Sequence, residues 1–254
     1  MSIIVESTET VVHIIFDRRE RRNALNLDIS EGVRAVLRDP RNRAKIIVLR
    51  SQHPGIFVAG ADVAEMRERT IADNLARVNA SLFQELEDHM APTLAIVDGP
   101  ALGGGCEIAL ACDFRIASSR SSWGLPEVTL GLVPSAGGLF RLERLVGRGN
   151  ALDLILTGRK IDGSEAFHLG LVQRLTDADD IDAAMSSALS ELESASRFAQ
   201  SLAKLGIRTP VDHGRAIDAM AQALCVSDLD TQRRLDAFLK HRAKPISKME
   251  LGDR

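Results

Sequence analysis

Short runs of apolar residues alternate with amphipathic stretches along most of the chain. β-branched residues dominate residues 11–16, which predicts a strand. Residues 45–50 form a nearly continuous apolar run of the kind that a parallel sheet buries on both faces. Similar runs predict strands at residues 94–97, 114–117 and 171–175. Strands that alternate with helical segments at this spacing favour βαβ units and a parallel sheet, so we expect an α/β fold.

Apolar side chains recur every three or four residues in the segments between these runs. One apolar helix face begins at Ile29, and a longer amphipathic helix is predicted over residues 71–90, ended by Pro92. Further helices are expected at residues 105–111, 137–145, 150–156, 164–169 and 180–194. Beyond the last of these the periodicity is helical only. We therefore predict a core domain over residues 1–196 and a helical region over residues 197–254 that packs on a neighbouring subunit.

A glycine-rich turn follows the predicted strand at residues 94–97. The strand pattern ends at Asp98-Gly99-Pro100, and Gly103-Gly104-Gly105 follow before a helix begins. Glycines let backbone N–H groups approach a bound group closely, and a helix N-terminus adds positive potential, so this turn is suited to developing negative charge. Glu107 lies just inside the helix, and Glu127 follows beside a proline in another turn. Two carboxyl groups near such a turn indicate acid–base chemistry beside a carbonyl group.

Each of these signals also has a purely structural interpretation. The glycines permit a tight turn and close packing of the helix, while the two glutamates can serve as a helix-dipole partner and a solvated loop acid. The glycines do not match a phosphate-binding loop, because no Gly-Lys-Ser/Thr follows them and Ile108 occupies the place of the third glycine of GxGxxG. The wider pattern in which these residues occur therefore decides between the two interpretations.

Composition and charge narrow the range of functions. The chain has 254 residues, of which 45% are hydrophobic, and a formal net charge of −3 without a basic block, so we expect a folded protein that does not bind nucleic acid. The N-terminus carries acids where a targeting peptide has bases, and no uninterrupted apolar span of about 20 residues occurs. We therefore expect a cytoplasmic protein that is not bound to a membrane.

The residue types used for metal binding and nucleophilic catalysis show no suitable spacing. The three cysteines form neither a CxxC pair nor an even framework, which predicts free thiols in a reducing compartment. The six histidines lack the paired spacing of zinc sites, so no metal is predicted. A Gly-x-Ser-x-Gly motif is absent, which disfavours a serine hydrolase.

Taken together, the motifs of the chain resemble those of the crotonase superfamily, also called the enoyl-CoA hydratase/isomerase family. The resemblance extends over residues 11–175 and is carried by residues 23–26 (NALN), 57–62 (FVAGAD), 101–107 (ALGGGCE) and 125–138 (LPEVTLGLVPSAGG). It implies a crotonase-like spiral of ββα units with a C-terminal helical trimerisation region. Homotrimers or dimers of trimers are the assemblies that it implies.

The resemblance also implies a role for individual residues. Ala61 and Gly104 match the positions whose backbone N–H groups form the oxyanion hole for a thioester carbonyl. Glu107 and Glu127 match the two catalytic glutamates of the hydratases, where Glu107 takes a proton from water and Glu127 delivers one to the α-carbon. Substrate-binding positions carried over in the same way are Ala24, Ala59, Ala61, Asp62, Val63, Gly103 and Gly104. The implied substrate is an acyl-CoA thioester, with no metal and no cofactor other than the coenzyme A of the substrate.

Two departures from the family pattern affect the interpretation. Ala64 stands where many hydratases carry a lysine for the CoA phosphate, so Arg22 or Arg67 is expected to replace it. The chain contains no tyrosine, which excludes relatives that use a tyrosine in the site. The presence of both glutamates favours a hydratase over an enoyl isomerase. Isomerisation or thioester hydrolysis with the same oxyanion hole, and non-catalytic binding of CoA thioesters, remain as alternatives.

Overall fold

The computed structural model of the chain describes residues 2–68, 78–209 and 211–242. The chain forms two compact units, Met1–Glu193 and Ser194–Arg254. The first unit contains two β-sheets with helices, and the described part of the second unit consists of helices. The division between residues 196 and 197 that the sequence suggests stays a prediction.

The larger sheet has six strands in the order β1-β2-β3-β4-β6-β9. Its strands are β1 (Ile3–Ser7), β2 (Val11–Phe16), β3 (Ile46–Ser51), β4 (Thr93–Val97), β6 (Phe114–Ser118) and β9 (Arg174–Thr176). The pairs from β2 to β9 are parallel, as expected, whereas β1 is an antiparallel edge strand. The sequence does not predict β1, because most of its residues are exposed and it lacks a buried apolar face.

Both faces of the larger sheet are buried, and β3 shows this most clearly. Ile47 and Leu49 point into the main core, whereas Ile46 and Val48 belong to a second apolar cluster on the opposite face. Helix α7 (Ile181–Ser194) covers this second face. The prediction that residues 45–50 form a strand buried on both faces is therefore confirmed.

A second sheet of three short strands lies next to the glycine-rich turn. Its strands are β5 (Pro100–Leu102), β7 (Ser122–Gly124) and β8 (Ile161–Asp162), in the order β5-β7-β8. The sequence does not predict this sheet, since two or three residues are too few to show a period of two. The sheet matters for the site because β5 leads directly into the turn.

The helices of the first unit agree with most of the predicted segments. They are α1 (Leu27–Arg38), α2 (Val63–Glu68), α3 (Val78–Glu87), α4 (Gly104–Leu110), α5 (Gly138–Thr157), α6 (Gly163–His168) and α7 (Ile181–Ser194). In α5, Gly147 has non-helical dihedral angles, and this kink separates the two helices predicted at residues 137–145 and 150–156. The second unit contains α8 (Arg197–Arg208), α9 (Val211–Ser227) and α10 (Leu229–Arg242).

Two predicted boundaries are wrong. The helix predicted over residues 71–90 ends as α3 at Glu87, and residues 71–77 lie outside the described part of the chain. The strand predicted at residues 171–175 begins only at Arg174, because Leu171 and the next residue are buried in a turn. The N–H group of Leu171 donates to the carbonyl of Ala166 and so closes the end of α6.

Among the described residues, no helix combines the length and the apolar character that crossing a lipid bilayer requires.

Candidate active site

Three segments of the chain converge beside the start of α4. The residues after β2 pair with the residues after β3 through a parallel bridge between Leu25 and Ala61. A second parallel bridge joins Val58 to Ala101 of β5. Asn23 holds the first two segments together, since its buried side-chain nitrogen donates to the Phe57 carbonyl at 2.7 Å. The substrate-binding positions predicted from the sequence lie on these three segments.

The backbone amide of Ala61 faces Gly104. The Leu25 N–H group donates to the Gly60 carbonyl, and the Asp62 N–H group donates to the Leu25 carbonyl, both at 2.8 Å. In parallel pairing of this kind the residue between those two partners directs its own N–H group to the opposite side. Gly104 lies next to this amide, since a β-carbon added to it would be 3.5 Å from the Ala61 nitrogen. The two predicted oxyanion-hole residues are therefore adjacent.

The start of α4 leaves the amide of Gly104 without an intrahelical acceptor. Gly104 is the first residue of the helix, and the first backbone bond of the helix runs from the Glu107 N–H group to the Gly103 carbonyl. The N–H groups before that bond point away from the helix end and carry the positive end of the helix dipole. The turn thus presents donors and positive potential to the same space as Ala61.

Gly103 and Gly105 are required by the geometry of the turn. Gly103 has a φ of +51°, a left-handed conformation that glycine adopts without strain. A β-carbon on Gly105 would lie 1.9 Å from the Val58 carbonyl oxygen, so any larger residue would push the helix away from the second segment. These two glycines therefore have a structural role, and that role brings the amide of Gly104 close to Ala61.

Glu107 is buried and tightly held, with only 4% of its surface exposed. Its Oε1 atom accepts hydrogen bonds from the N–H groups of Ala136 and Gly138, at 2.8 and 2.9 Å. Its pKa rises to about 7, mainly because of burial, and the charge of Glu127 contributes to this rise. The two amides and Arg141 act in the opposite direction. Glu107 can therefore exchange a proton near neutral pH.

Glu127 occupies a different environment on the other side of the turn. It lies in the 3₁₀ helix Pro126–Leu130, is half-buried, and has its Oε1 atom 3.2 Å from where a β-carbon on Gly103 would stand. Its Oε2 atom is buried and accepts no hydrogen bond from the described residues. Burial raises the pKa of this carboxyl. A group placed beside the turn would contact Glu127 directly.

The carboxylate of Asp62 is bound within the protein and helps to hold the loop in place. Arg18 forms an ion pair with Asp62 at 2.9 Å and also donates to the Ala24 carbonyl at 3.1 Å. This arginine thereby ties the first segment to the second. Val63 begins α2, and its side chain lies outside the described part of the structure. Ala59 is half-buried and donates its N–H group to a backbone carbonyl of the first segment.

The two phosphate-binding candidates from the sequence analysis and the single tryptophan of the chain have clear positions. Arg22 and Arg67, the candidates for phosphate binding, are both exposed. Trp123 is fully buried and donates from its ring nitrogen to the Ser121 hydroxyl, so it belongs to the core. Among the described residues, no group of three or more His, Cys, Asp or Glu side chains is arranged to hold a metal ion.

The structure adds residues that the sequence analysis did not assign to the site. Ala136 and Gly138 bind Glu107, and Arg141 donates to the Ala136 carbonyl at 2.9 Å. The only sequence signal for Ala136 and Gly138 is their position at the end of the LPEVTLGLVPSAGG segment, and Arg141 lies just beyond it. Their contact with Glu107 spans about 30 positions of the chain, which periodicity does not reveal.

The fold and the site together define a class of protein. It has a largely parallel α/β sheet, a short second sheet, and two buried or half-buried glutamates on either side of a glycine-rich helix start. The chain belongs to the enoyl-CoA hydratase/isomerase family, whose family model (Enoyl-CoA hydratase/isomerase) matches residues 6–247. The α/β crotonase fold expected from the sequence is confirmed.

Individual relatives support the same assignment over nearly the whole chain. The chain is 36% identical to the crotonyl-CoA hydratase of Syntrophomonas wolfei, over 97% of this chain and 98% of that protein. It is 34% identical to probable enoyl-CoA hydratase 2, mitochondrial, of Arabidopsis thaliana, over 94% of this chain and 82% of that protein. The crystal structure of an enoyl-CoA hydratase from Bacillus anthracis superposes with a TM-score of 0.87 at 31% identity, covering 95% of this chain and 97% of that one.

Proposed function

We propose that the protein catalyses the reversible addition of water to a 2-enoyl-CoA thioester, which gives a 3-hydroxyacyl-CoA. The observation that carries this proposal is that Glu107 lies in the first turn of the helix that begins at Gly104, next to Ala61, while Glu127 lies beside Gly103. Burial raises the pKa of both carboxyl groups, and the pKa of Glu107 reaches about 7, so Glu107 can exchange a proton near neutral pH. Such a pair is suited to the transfer of two protons in one reaction.

The amides of Ala61 and Gly104 are proposed to bind the thioester oxygen. As water adds to the β-carbon, negative charge moves through the conjugated system onto that oxygen. Two oriented N–H donors stabilise the enolate-like state more than the neutral carbonyl, and one such donor typically contributes a factor of about 10²–10³ in rate. The helix N-terminus at Gly104 adds its positive potential at the same point.

Glu107 and Glu127 are proposed to share one proton in the active enzyme. In hydration, ionised Glu107 takes a proton from the water that attacks the β-carbon, and protonated Glu127 gives its proton to the α-carbon. The reaction leaves the proton on Glu107, so dehydration uses the same pair in the opposite roles. The apparent pKa values therefore belong to the pair and not to either residue alone.

The remaining predicted positions are proposed to bind the CoA thioester along the three converging segments. These positions are Ala24, Ala59, Ala61, Asp62, Val63, Gly103 and Gly104. Because Arg18 holds the Asp62 carboxylate, the backbone of Asp62 is the part available to substrate. The exposed Arg22 and Arg67 are the proposed contacts for the CoA phosphates.

We further propose that the chain assembles as a homotrimer or a dimer of trimers through its C-terminal helices, in the cytoplasm. The second unit exposes large apolar side chains, including Ile207 at 86% and Leu229 at 73%. Exposed apolar patches of this kind are typical of interfaces between subunits. One relative is named as mitochondrial, so the compartment is best tested by localisation of the full-length protein in its own cells.

A spectrophotometric assay with crotonyl-CoA tests the reaction. The relative from Syntrophomonas wolfei is named for this substrate, which makes it the first choice. We expect loss of the absorbance of the conjugated thioester and a product heavier by one water molecule in mass spectrometry. No loss of absorbance, together with a shifted double bond in a 3-enoyl-CoA, would instead identify an isomerase.

Two further outcomes of the same assay separate the remaining alternatives. Release of free thiol without loss of the double bond would identify a thioester hydrolase. Binding of acyl-CoA without turnover of any thioester, and with unchanged affinity in Glu107→Gln and Glu127→Gln, would identify a non-catalytic binding protein.

A further inference from the structure

Arg141 is a buried arginine that connects Glu107 to α3. Its side chain is 4% exposed, and it lies in the first turn of α5. Its Nη1 atom donates to the Ala136 carbonyl at 2.9 Å, and its Nε and Nη2 atoms donate to Glu87 Oε2 of α3 at 3.0 and 2.6 Å. The family resemblance assigns no role to this residue.

The Ala136 carbonyl belongs to the turn that holds the Glu107 carboxylate. Ala136 donates its own N–H group to Glu107 Oε1 and accepts from Arg141 through its carbonyl, so it is held from both sides. The backbone N–H group of Arg141 also donates to the Gly137 carbonyl at 3.0 Å. Arg141 thus donates to two carbonyl groups of the turn at residues 136–138. The N–H groups of Ala136 and Gly138 in the same turn hold the Glu107 carboxylate.

Among the described residues, Glu127 and Arg141 are the charged groups that affect the pKa of Glu107. Glu127 lies in the 3₁₀ helix and Arg141 in α5, and Glu87 of α3 forms an ion pair with Arg141. The strand β5, which also packs against α4, carries no charged residue. Arg141 is therefore the positive charge that opposes the effects of burial and of Glu127 on the pKa of Glu107.

We infer that Arg141 is a positioning residue for the proton transfers at Glu107. It fixes the turn whose two amides hold the Glu107 carboxylate, and Glu87 in turn fixes the orientation of the arginine. This inference rests on the proposed hydration, in which Glu107 must be ionised and correctly aimed when water attacks. Without the arginine, the turn loses its hydrogen bond at the Ala136 carbonyl, and the buried carboxylate loses the positive charge that lowers its pKa.

The test compares four variants of the full-length protein in the crotonyl-CoA assay. Arg141→Gln removes the charge, Arg141→Lys keeps the charge but loses the forked contact, and Glu87→Gln removes the negative charge behind Arg141. Arg34→Gln is the matched control, because Arg34 forms an ion pair with Glu85 of the same helix α3, away from the turn. Profiles of kcat and KM against pH are recorded for all four.

The variants are expected to move the pH optimum in different directions, which a purely structural role of Arg141 would not produce. Arg141→Gln lowers kcat about tenfold or more with little change in KM, and because one pKa of the pair rises by about one unit, the pH optimum moves up by about half a unit. Glu87→Gln moves the optimum to lower pH, since Arg141 then acts on Glu107 without its counter-charge. Arg141→Lys retains the optimum but not the full kcat, and Arg34→Gln leaves the profile unchanged.

Other results would overturn the inference. They are an unshifted optimum in Arg141→Gln, or shifts of Arg141→Gln and Glu87→Gln in the same direction. If Arg141→Gln does not fold, as judged by circular dichroism, the direction of the Glu87→Gln shift decides alone.

A direct measurement separates this inference from the proposed function. The ¹³C carboxyl resonance of Glu107, assigned by its loss in Glu107→Gln, is titrated in the wild type and in the Glu87→Gln and Arg141→Lys variants. A lower pKa in Glu87→Gln and a nearly unchanged one in Arg141→Lys support the inference even if crotonyl-CoA is not hydrated. An unchanged or higher pKa in Glu87→Gln would refute it even if the wild type is an active hydratase.

Discussion

The two glutamates of the candidate site, Glu107 and Glu127, differ in their hydrogen-bond partners. Glu107 is bound by two backbone amides, whereas the Oε2 atom of Glu127 accepts no hydrogen bond from the described residues. Burial raises both pKa values, and the charge of Glu127 contributes to the rise at Glu107. Glu107 is therefore held by the backbone, while Oε2 of Glu127 keeps a hydrogen-bond acceptor unused by the described residues.

Replacement of either glutamate by glutamine tests their role at the level of the residue. Glutamine keeps the size of the side chain but cannot exchange a proton, so we expect kcat to fall by about 10²–10⁴ in either variant, with KM nearly unchanged. Steady-state kinetics with crotonyl-CoA measures both parameters. Glu143→Gln is the control, because Glu143 is exposed on α5 and should leave kcat unaltered.

The pH dependence of kcat/KM tests the shared proton. At low pH both carboxyls are protonated and no base remains; at high pH both are ionised and no acid remains. We therefore expect a bell-shaped profile with one limb near pH 7, the value to which burial raises the pKa of Glu107. A flat profile between about pH 5 and about pH 9 would contradict the assignment.

The elements of the site are held together by close backbone contacts. The start of α4 packs against the second segment so tightly that only glycine fits at position 105. The ion pair between Arg18 and Asp62 fixes the neighbouring loop from the other side. The oxyanion hole proposed for Ala61 and Gly104 therefore depends on the packing of α4, and not on flexible side chains.

Gly105→Ala tests this packing. The added β-carbon would lie 1.9 Å from the Val58 carbonyl oxygen, so the helix must shift. We expect the free energy of unfolding to fall by about 3 kcal/mol, measured by denaturant titration, and hydratase activity to fall with it. Gly149→Ala in α5 is the control, since no described atom lies within 4 Å of its β-carbon position and stability should rise by up to about 1 kcal/mol.

On the scale of the whole molecule, the single chain leaves apolar surface uncovered in its second unit. The side chain of Ile207 in α8 is almost fully exposed, and α10 begins with the exposed Leu229. In an isolated chain, such exposed apolar side chains would favour aggregation. Burial of these side chains between subunits is the physical reason for the proposed trimer.

Light scattering tests this assembly. Three chains of 27.6 kDa correspond to about 83 kDa, and we expect this mass or its double for the wild type. Ile207→Asp places a charge in the proposed interface and should shift the mass toward the single chain, whereas Ile207→Leu should not. A monomeric wild type, or an Ile207→Asp variant of unchanged mass, would argue against the role proposed for these helices.

Elements that carry their own apolar pattern can be predicted from the sequence, whereas elements without such a pattern cannot. Buried strands such as β3 were predicted correctly, because each carries its own apolar pattern within six residues. The edge strand β1 and the three-stranded sheet were missed, since exposed or very short strands carry no such pattern. The strand predicted from residue 171 begins only at Arg174. Leu171 is buried in a turn, and its apolar character alone does not distinguish a buried turn from a buried strand.

The sequence by itself determined the α/β class, the family and the candidate site residues, because these depend on local periodicity and on motifs of adjacent residues. Only the tertiary structure decided which groups surround Glu107. Its amide donors lie 29 and 31 positions away, and Arg141 reaches a glutamate 54 positions away. Such contacts arise when α4, α5 and α3 pack around a common core, so no stretch of the sequence contains them.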